Sequence, residues 1–394
     1  MNEQQLRDRF EEFDAPSPGL EVDALMPGLR RRAARRRIVR TGSGAALAVT
    51  LVAAASMLIP GTNPGEGNGP GPAAGGSRCA GTELPAPAGL SGVGATAIDP
   101  SGRYVVGNDR SAPMRTDPET GKMSDVQFVK PVLWTDERPE ALPMPAASVW
   151  AADVNASGTV AAVGSDDHHW RSVIRYTKGV AETMRTPAGS WIIDRDLRIG
   201  EDGDILVNAR KAESLESDIG EVWLWKAGSA AADRLPLPAL SWGAGLTTDG
   251  DVAGFTYARP YSEDVLPYVW DEQGEGRALA VPAGQSASVR AVRGDWVLGH
   301  LLPSRTVQWW NLRTGATGTW DAGDTAYAIN SEGWIISREQ LQRAGTTVTL
   351  RAPEDEEFML SGLSDTGVVA GSVLISDGGD ASKPGGTLLW RCDG

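Results

Sequence analysis

The chain has 394 residues, a formal net charge of −14, 48 glycines, 25 prolines and only two cysteines. The acidic balance argues against adhesion to anionic lipid or teichoic acid, and the wide spacing of the cysteines excludes a CxxC redox or zinc motif. Composition divides the chain into a basic head, an apolar segment, a flexible linker and one large body.

The head and the apolar segment predict a membrane anchor. Residues 1–40 carry nine Arg and seven acidic residues, and seven of these Arg lie between Arg30 and Arg40. Residues 41–60 contain no charged residue and would form a helix of about 30 Å, enough to cross the hydrocarbon core. The Arg cluster places the N-terminal side in the cytoplasm. A cleaved signal peptide with sites near residues 53–55 is the alternative, although a 40-residue region before the apolar run favours the anchor.

The layout of a short cytoplasmic basic arm at 1–40, a transmembrane helix at 41–60 and an outer domain resembles membrane-bound anti-sigma factors of actinobacteria. The resemblance implies transmembrane control of a sigma factor as one function. Residues 1–40 contain no His and no Cys, which excludes a zinc-binding arm. Membrane topology explains the Arg run, and we predict no nucleic-acid site.

Eleven of the nineteen residues from 60 to 78 are Gly or Pro, too little apolar surface for a folded core. We therefore expect a Gly/Pro-rich linker at 61–78, followed by an extracellular domain at 79–394.

A short pattern recurs along this domain: an apolar residue, a polar turn, a glycine and an apolar run. Its glycines are Gly102, Gly158, Gly203, Gly250, Gly333 and Gly367, with a weaker copy at Gly294. Such turns need positive φ near their end, which Gly adopts freely, so each copy predicts a tight hairpin. The glycines lie 34 to 56 residues apart, about the length of one β-propeller blade.

Each hairpin is followed by an apolar segment that predicts a third strand. In six copies this segment ends on an aromatic residue: Trp134, Tyr176, Trp225, Trp270, Trp310 and Trp390. The sixth unit would use 345–350 without an aromatic. Leu142, Leu235 and Leu279 mark predicted outer fourth strands. The pattern predicts an all-β, seven-bladed propeller, with six blades possible. Two stacked sandwiches are the alternative, but they do not repeat one strand quartet.

The two chain ends are predicted to share one blade. The last unit stops at its third strand, and residues 79–87 match the missing fourth strand. Cys79 and Cys392 then occupy the positions of Glu137 and Asp136 in the first blade, within reach of a disulfide. Such a bond persists outside the cell. Two free thiols are the alternative.

The body resembles extracellular propeller repeats of the HAF type, most closely in AINSEGWIIS at 328–337. The His-Ala-Phe signature itself is replaced by PVLW and PYVW. The resemblance implies an outer-surface repeat domain without a specific activity.

Candidate chemistry is sparse. Asp166, Asp167, His168 and His169 could bind a divalent metal, but they fall in the loop after the second hairpin, and we favour a solvated polar turn. His300 stands alone, and the acidic run at 353–358 reads as a charged connection. Sugar stacking and packing between blades both explain the fourteen Trp, and the repeat period favours packing. Residues near first-strand starts could line an axial channel: Asp153, Asp194, Asp324 and Ser361.

These patterns identify no catalytic, cofactor or metal-binding set. We expect a monomeric, membrane-anchored extracellular domain that binds or senses a protein, a glycan or a small ligand. The alternatives are a propeller-type lyase or hydrolase with its site at the channel mouth, and the anti-sigma-like regulator.

Overall fold

The computed structural model describes residues 78–111, 128–166, 169–213, 220–260, 262–320, 326–343, 345–375 and 383–392. The chain divides into two units, 1–71 and 72–394, and all of these residues belong to the second. The predicted arm, transmembrane helix and nearly all of the linker lie outside them. Within the described ranges, no helix has the length and apolarity needed to cross a bilayer.

The described residues form 29 β-strands and one 3-10 turn at Pro353–Asp355, so the all-β prediction is confirmed. The first strand, β1, is Arg78–Leu84. Sheet I contains β2 (Val93–Ile98), β3 (Tyr104–Asp109), β4 (Lys130–Thr135) and β5 (Arg138–Ala141). Sheet II contains β6 (Ser148–Val154), β7 (Val160–Ser165), β8 (Ser172–Thr177) and β9 (Val180–Thr183).

Sheet III contains β10 (Trp191–Ile193), β11 (Arg198–Ile199), β12 (Ile205–Lys211), β13 (Glu221–Trp225) and β14 (Asp233–Arg234). Sheet IV contains β15 (Ser241–Leu246), β16 (Val252–Tyr257), β17 (Val265–Trp270) and β18 (Gly276–Ala278). Sheet V contains β19 (Ser286–Arg293), β20 (Trp296–Leu302), β21 (Val307–Asn311) and β22 (Thr317–Trp320). In all five sheets the paired strands are antiparallel, and strands that are consecutive in the chain pair with each other, except that β10 and β11 both pair with β12.

The remaining strands form one eight-stranded sheet, called here the double sheet. It contains β23 (Ala326–Ile329), β24 (Ile335–Ser337), β25 (Gln340–Arg343), β26 (Thr346–Arg351), β27 (Phe358–Leu363), β28 (Val368–Ile375) and β29 (Lys383–Arg391), together with β1. Its order is β23-β24-β25-β26-β1-β29-β28-β27, so β1 joins two antiparallel halves.

The innermost strands of the sheets contact one another in sequence: β2 with β6, then β11, β15, β19, β23 and β27, which returns to β2. The sheets therefore surround a common axis, and the cores lie between neighbouring sheets. One such core joins sheets II and III through residues including Val163, Ile193 and Trp223.

The hairpin prediction is confirmed at every repeat. All seven glycines singled out in the sequence have positive φ, from +60° at Gly294 to +98° at Gly203. The polar residue three positions earlier ties the turn: Asp99 Oδ1 accepts the Tyr104 N–H at 2.6 Å. Asn330 Oδ1 likewise accepts the Trp334 N–H at 2.8 Å. The Asp, Asn, Ser and Thr of the repeat therefore close the hairpins.

The third strands end where the aromatic pattern predicted. The six aromatic residues are all buried, with at most 2% of their surface exposed. Four of them donate a hydrogen bond to a carbonyl at the outer edge of the preceding sheet, Trp134 to Pro85 O at 2.8 Å and Trp390 to Arg351 O at 2.7 Å among them. Packing between sheets thus accounts for these aromatic residues.

One strand assignment was wrong. The third strand expected at 345–350 is β26, the outer strand of its group, and β25 takes the third position. The two residues between β24 and β25 are Arg338 and Glu339, and Arg338 has a positive φ of 48°. Because this turn is so short, the third strand forms immediately, and the apolar run that follows becomes the fourth strand of the group, which pairs with β1.

The strand β1 holds the two chain ends together. Residues 78–80 pair parallel with β26, and residues 81–84 pair antiparallel with β29. Cys79 and Cys392 form the predicted disulfide. The closing strand is therefore held both by main-chain hydrogen bonds and by a covalent bond.

Candidate functional site

A cavity of about 340 Å³ lies on the axis of the ring, at the end where the hairpins turn. Residues of all the innermost strands line it, among them Ile98, Asp153, Ile199, Val292 and Leu363. Its volume falls within the usual range of small-ligand sites. We call it the axial cavity.

Single-residue bulges shape this cavity. The inner strands β2, β6, β15, β19, β23 and β27 each shift register by one residue at a corresponding position. The bulged residues in β2, β23 and β27 are Thr96, Tyr327 and Ser361, and all three line the cavity. A bulge bends the strand and re-aims a side chain, and these three bulges add hydroxyl groups to the wall of the cavity.

Arg293 ties three sheets together at the mouth of the axial cavity. Its Nη1 lies 2.9 Å from Glu201 Oε1 in sheet III, and its Nη2 donates to Ile98 O in sheet I at 3.3 Å. The Arg293 side chain is 19% exposed. A charge-assisted contact of this kind, partly shielded from water, fixes the position of the guanidinium.

Glu201 is the acid that pairs with Arg293, and 47% of its side chain is exposed. Its Oε2 accepts the Ala156 N–H at 3.0 Å. Burial raises the pKa of Glu201, although the Ala156 N–H and the Arg293 guanidinium both lower it. Desolvation is thus the largest influence on the pKa of this carboxyl group.

Of the four residues that the sequence analysis placed near the axial channel, two line the axial cavity. Asp153 lines the axial cavity, and its carboxylate accepts the Val154 N–H at 2.9 Å and the Ile199 N–H at 3.1 Å. Ser361 also lines it and donates to Ala95 O at 2.8 Å. Asp194 lines a separate cavity over sheet III. Asp324 lies outside the described residues.

The remaining candidates do not join the axial cavity. His169 precedes β8, and its neighbours Asp167 and His168 lie outside the described residues. His300 is in β20, and the acidic run includes the 3-10 turn between β26 and β27. Among the described residues, no group of three or more His, Cys, Asp or Glu could hold a metal ion.

Sequence reasoning missed Arg293 and Glu201. Arg293 directly precedes Gly294, in the copy of the repeat that departs furthest from the others. That departure was the available signal in the sequence.

Sequence reasoning also missed two asparagines that join sheets. Asn108 Nδ2 donates to Ala151 O at 2.8 Å, and Asn108 Oδ1 accepts the Ala151 N–H at 2.8 Å. Asn208 makes the same pair of bonds with Gly243, at 2.8 and 2.9 Å. Each amide side chain therefore donates one hydrogen bond to the inner strand of the next sheet and accepts one from it, as the main chain of a neighbouring strand does.

No protein-family model and no curated protein matches this chain. Among solved structures, the uncomplexed acylaminoacyl peptidase of Pyrococcus horikoshii matches with a TM-score of 0.52 and 13% identity, over 77% of this chain and 51% of that one. The β-propeller domain of the Trilobed protease from Pyrococcus furiosus, described as having an open velcro topology, matches with a TM-score of 0.50 and 12% identity, over 77% and 94%.

A structure of U3-55K matches with a TM-score of 0.50 and 10% identity, over 79% of this chain and 98% of that one. This chain spans about half the length of the acylaminoacyl peptidase. At such identities the likeness concerns the fold alone. The sheets of this chain are arranged as a β-propeller.

Proposed function

We propose that this chain is a membrane-anchored protein whose extracellular β-propeller binds or senses a small polar ligand in the axial cavity. The propeller has seven blades: sheets I to V are one blade each, and the double sheet supplies two. The helix at 41–60 is the anchor, with the N-terminus in the cytoplasm.

The axial cavity is the observation that carries this proposal. It collects side chains from every inner strand and sets guanidinium groups, Arg198 and Arg293, beside carboxylates, Asp153 and Glu201. Such a mixed lining offers donors and acceptors to a ligand that carries both. Arg293 contacts Glu201 and Ile98, so its side chain connects three blades. A ligand that binds Arg293 would change these contacts between blades.

The disulfide and the sequence support the location. A covalent bond between Cys79 and Cys392 suits an oxidising compartment. The Arg-rich flank of the apolar segment at 41–60 favours export of everything after residue 60.

A binding screen tests the ligand proposal. The full-length chain, purified in detergent, is titrated with free amino acids, dicarboxylates and monosaccharides, and its melting temperature is recorded. We expect at least one class to raise it, because a ligand that binds only the folded state stabilises that state. The Arg293→Ala variant should lose the shift. Arg313→Ala should keep it, because Arg313 is exposed, pairs with Asp295 and does not line the cavity. An unchanged shift in Arg293→Ala would place the ligand elsewhere.

Surface proteolysis of intact cells tests the topology. Protease added outside should digest the propeller and leave a membrane-bound fragment that contains residues 1–60. N-terminal sequencing of the mature chain separates the anchor from a cleaved signal peptide, because cleavage near residues 53–55 would remove the arm.

A further inference from the structure

Sheet III breaks the regularity of the ring. Its innermost strand is divided into β10 and β11, and four residues, 194–197, replace the single bulged residue of the other inner strands. The segment is held in place: Leu197 is 1% exposed, Asp194 N donates to Asn208 O at 2.9 Å, and Asp196 N donates to Asp194 Oδ1 at 2.8 Å. An ordered insertion that interrupts a structural repeat is a position where a specific function is expected.

A cavity of about 560 Å³ lies over this segment, larger than the axial cavity. It is lined by two half-buried tryptophans, Trp170 from the approach to β8 and Trp242 from β15. These come from the sheets on either side of sheet III, and each packs against a core cluster. Because each indole is anchored in a core, it can present a rigid surface to a ligand. We call this site the Trp170–Trp242 cleft.

The polar lining of the cleft carries both signs of charge. The charged residues are Asp194, Arg195, Asp196, Arg210 and Glu221. Three of them are engaged by neighbours. Asp194 Oδ1 accepts the Asp196 N–H at 2.8 Å, Glu221 Oε2 lies 3.2 Å from Trp223 Nε1, and the Arg195 guanidinium lies 5.1 Å from the Trp150 ring centroid. Arg210 is half-buried, and no described residue forms a hydrogen bond or ion pair with its guanidinium. Its five N–H donors are therefore available to a ligand or to water.

We propose that the Trp170–Trp242 cleft binds a neutral oligosaccharide. Indole rings stack on the apolar faces of sugar rings, while Arg210 donates to ring hydroxyls and Asp196 accepts from them. The nearly balanced charges favour a hydroxyl-rich neutral ligand over a strong anion or cation. This site is separate from the axial cavity, and it stands whether or not that cavity binds a ligand.

Calorimetry with defined tetraoses of β-linked glucose, α-linked glucose, N-acetylglucosamine and xylose tests the proposal on the full-length chain. At least one tetraose should bind, with a change in tryptophan fluorescence. Trp170→Ala and Trp242→Ala should each weaken binding about tenfold, and Arg210→Gln should weaken it by about the same factor. Arg210→Gln leaves the core untouched, so it remains informative if a tryptophan variant fails to fold.

Trp320→Ala and Arg293→Ala are the matched controls. Trp320 is half-buried at the end of β22 and lines neither cavity, and Arg293 belongs to the axial cavity alone. Both variants should bind the tetraose like the wild type. The proposal is overturned if no tetraose binds, if Arg210→Gln binds unchanged, or if a sulfated tetraose binds while its neutral counterpart does not.

Discussion

Cys79 and Cys392 are 313 residues apart in sequence, yet their Cα atoms are 5.3 Å apart and their sulfurs are bonded. Cys79 lies in β1, which pairs with β26 on one side and with β29 on the other. The bond therefore fastens the strand that closes the ring.

Removal of this disulfide should destabilise the propeller. Cross-linking so long a loop contributes up to about 5 kcal/mol in the chain-entropy model, and we expect Cys392→Ser to lose about 2–5 kcal/mol in urea unfolding. The wild type in reductant should match the variant. Equal stability with and without reductant would show that the hydrogen bonds of β1 suffice for closure.

The hydrogen bond between blades made by Trp134 can be isolated by a matched pair of substitutions. Trp134 and Trp225 are both buried, but Trp134 Nε1 donates to Pro85 O, whereas Trp225 Nε1 has no partner among the described residues. Both Trp→Phe changes remove similar volume. We expect Trp134→Phe to cost about 1 kcal/mol more than Trp225→Phe in chemical denaturation. The reverse order would mean that volume alone matters at these positions.

Asn108 should be among the most sensitive polar positions. Asn108→Ala removes two buried hydrogen bonds and leaves the Ala151 N–H and C=O unpaired, so we expect a loss of about 2–4 kcal/mol. Asn208→Ala should behave alike. Because the two asparagines bridge different pairs of sheets, their effects should add in the double variant, as urea titration can show. A loss well below 1 kcal/mol in either single variant would mean that water replaces the amide.

We expect the free energy of unfolding to depend on pH through the ionisation of Asp194. Burial, the largest influence, raises the pKa of Asp194 in the folded protein above its unfolded value. The folded state therefore holds the proton more tightly, and ionisation at neutral pH opposes folding. Asp194→Asn keeps an oxygen for the Asp196 N–H, so it should be more stable than the wild type at pH 7.

This advantage should shrink as the pH falls through the folded pKa of Asp194 toward its unfolded value, because the wild-type carboxyl then becomes neutral too. Thermal unfolding from pH 7 to pH 3 measures the difference. Asp196→Asn, at an exposed neighbouring position, controls for the loss of one charge. If the two variants respond alike to pH, Asp194 is not the group responsible.

Most of the fold could be predicted because it depends on short sequence patterns that recur in each unit. Positive φ at Gly102 and its counterparts, and burial of Trp134 and its counterparts, recur with the repeat and are visible in the sequence. The shared position of the two chain ends followed from one missing strand. The third strand of the sixth unit was misplaced because its two-residue turn has no signal in a pattern built on glycine.

The candidate sites were less visible. Arg293 reaches Glu201 and Ile98 only because the ring brings the first, third and fifth sheets together at its axis. The Trp170–Trp242 cleft likewise combines residues from three sheets around a segment whose insertion looks like an ordinary loop in the sequence.

The amino-acid sequence by itself determined the repeat, the hairpins and the pairing of Cys79 with Cys392, since each depends on neighbours within one unit or on the register of equivalent units. Only the tertiary structure decided which charged and aromatic side chains face a common cavity. Ring closure sets that proximity, and the relevant contacts join residues of different blades, so no local pattern records them.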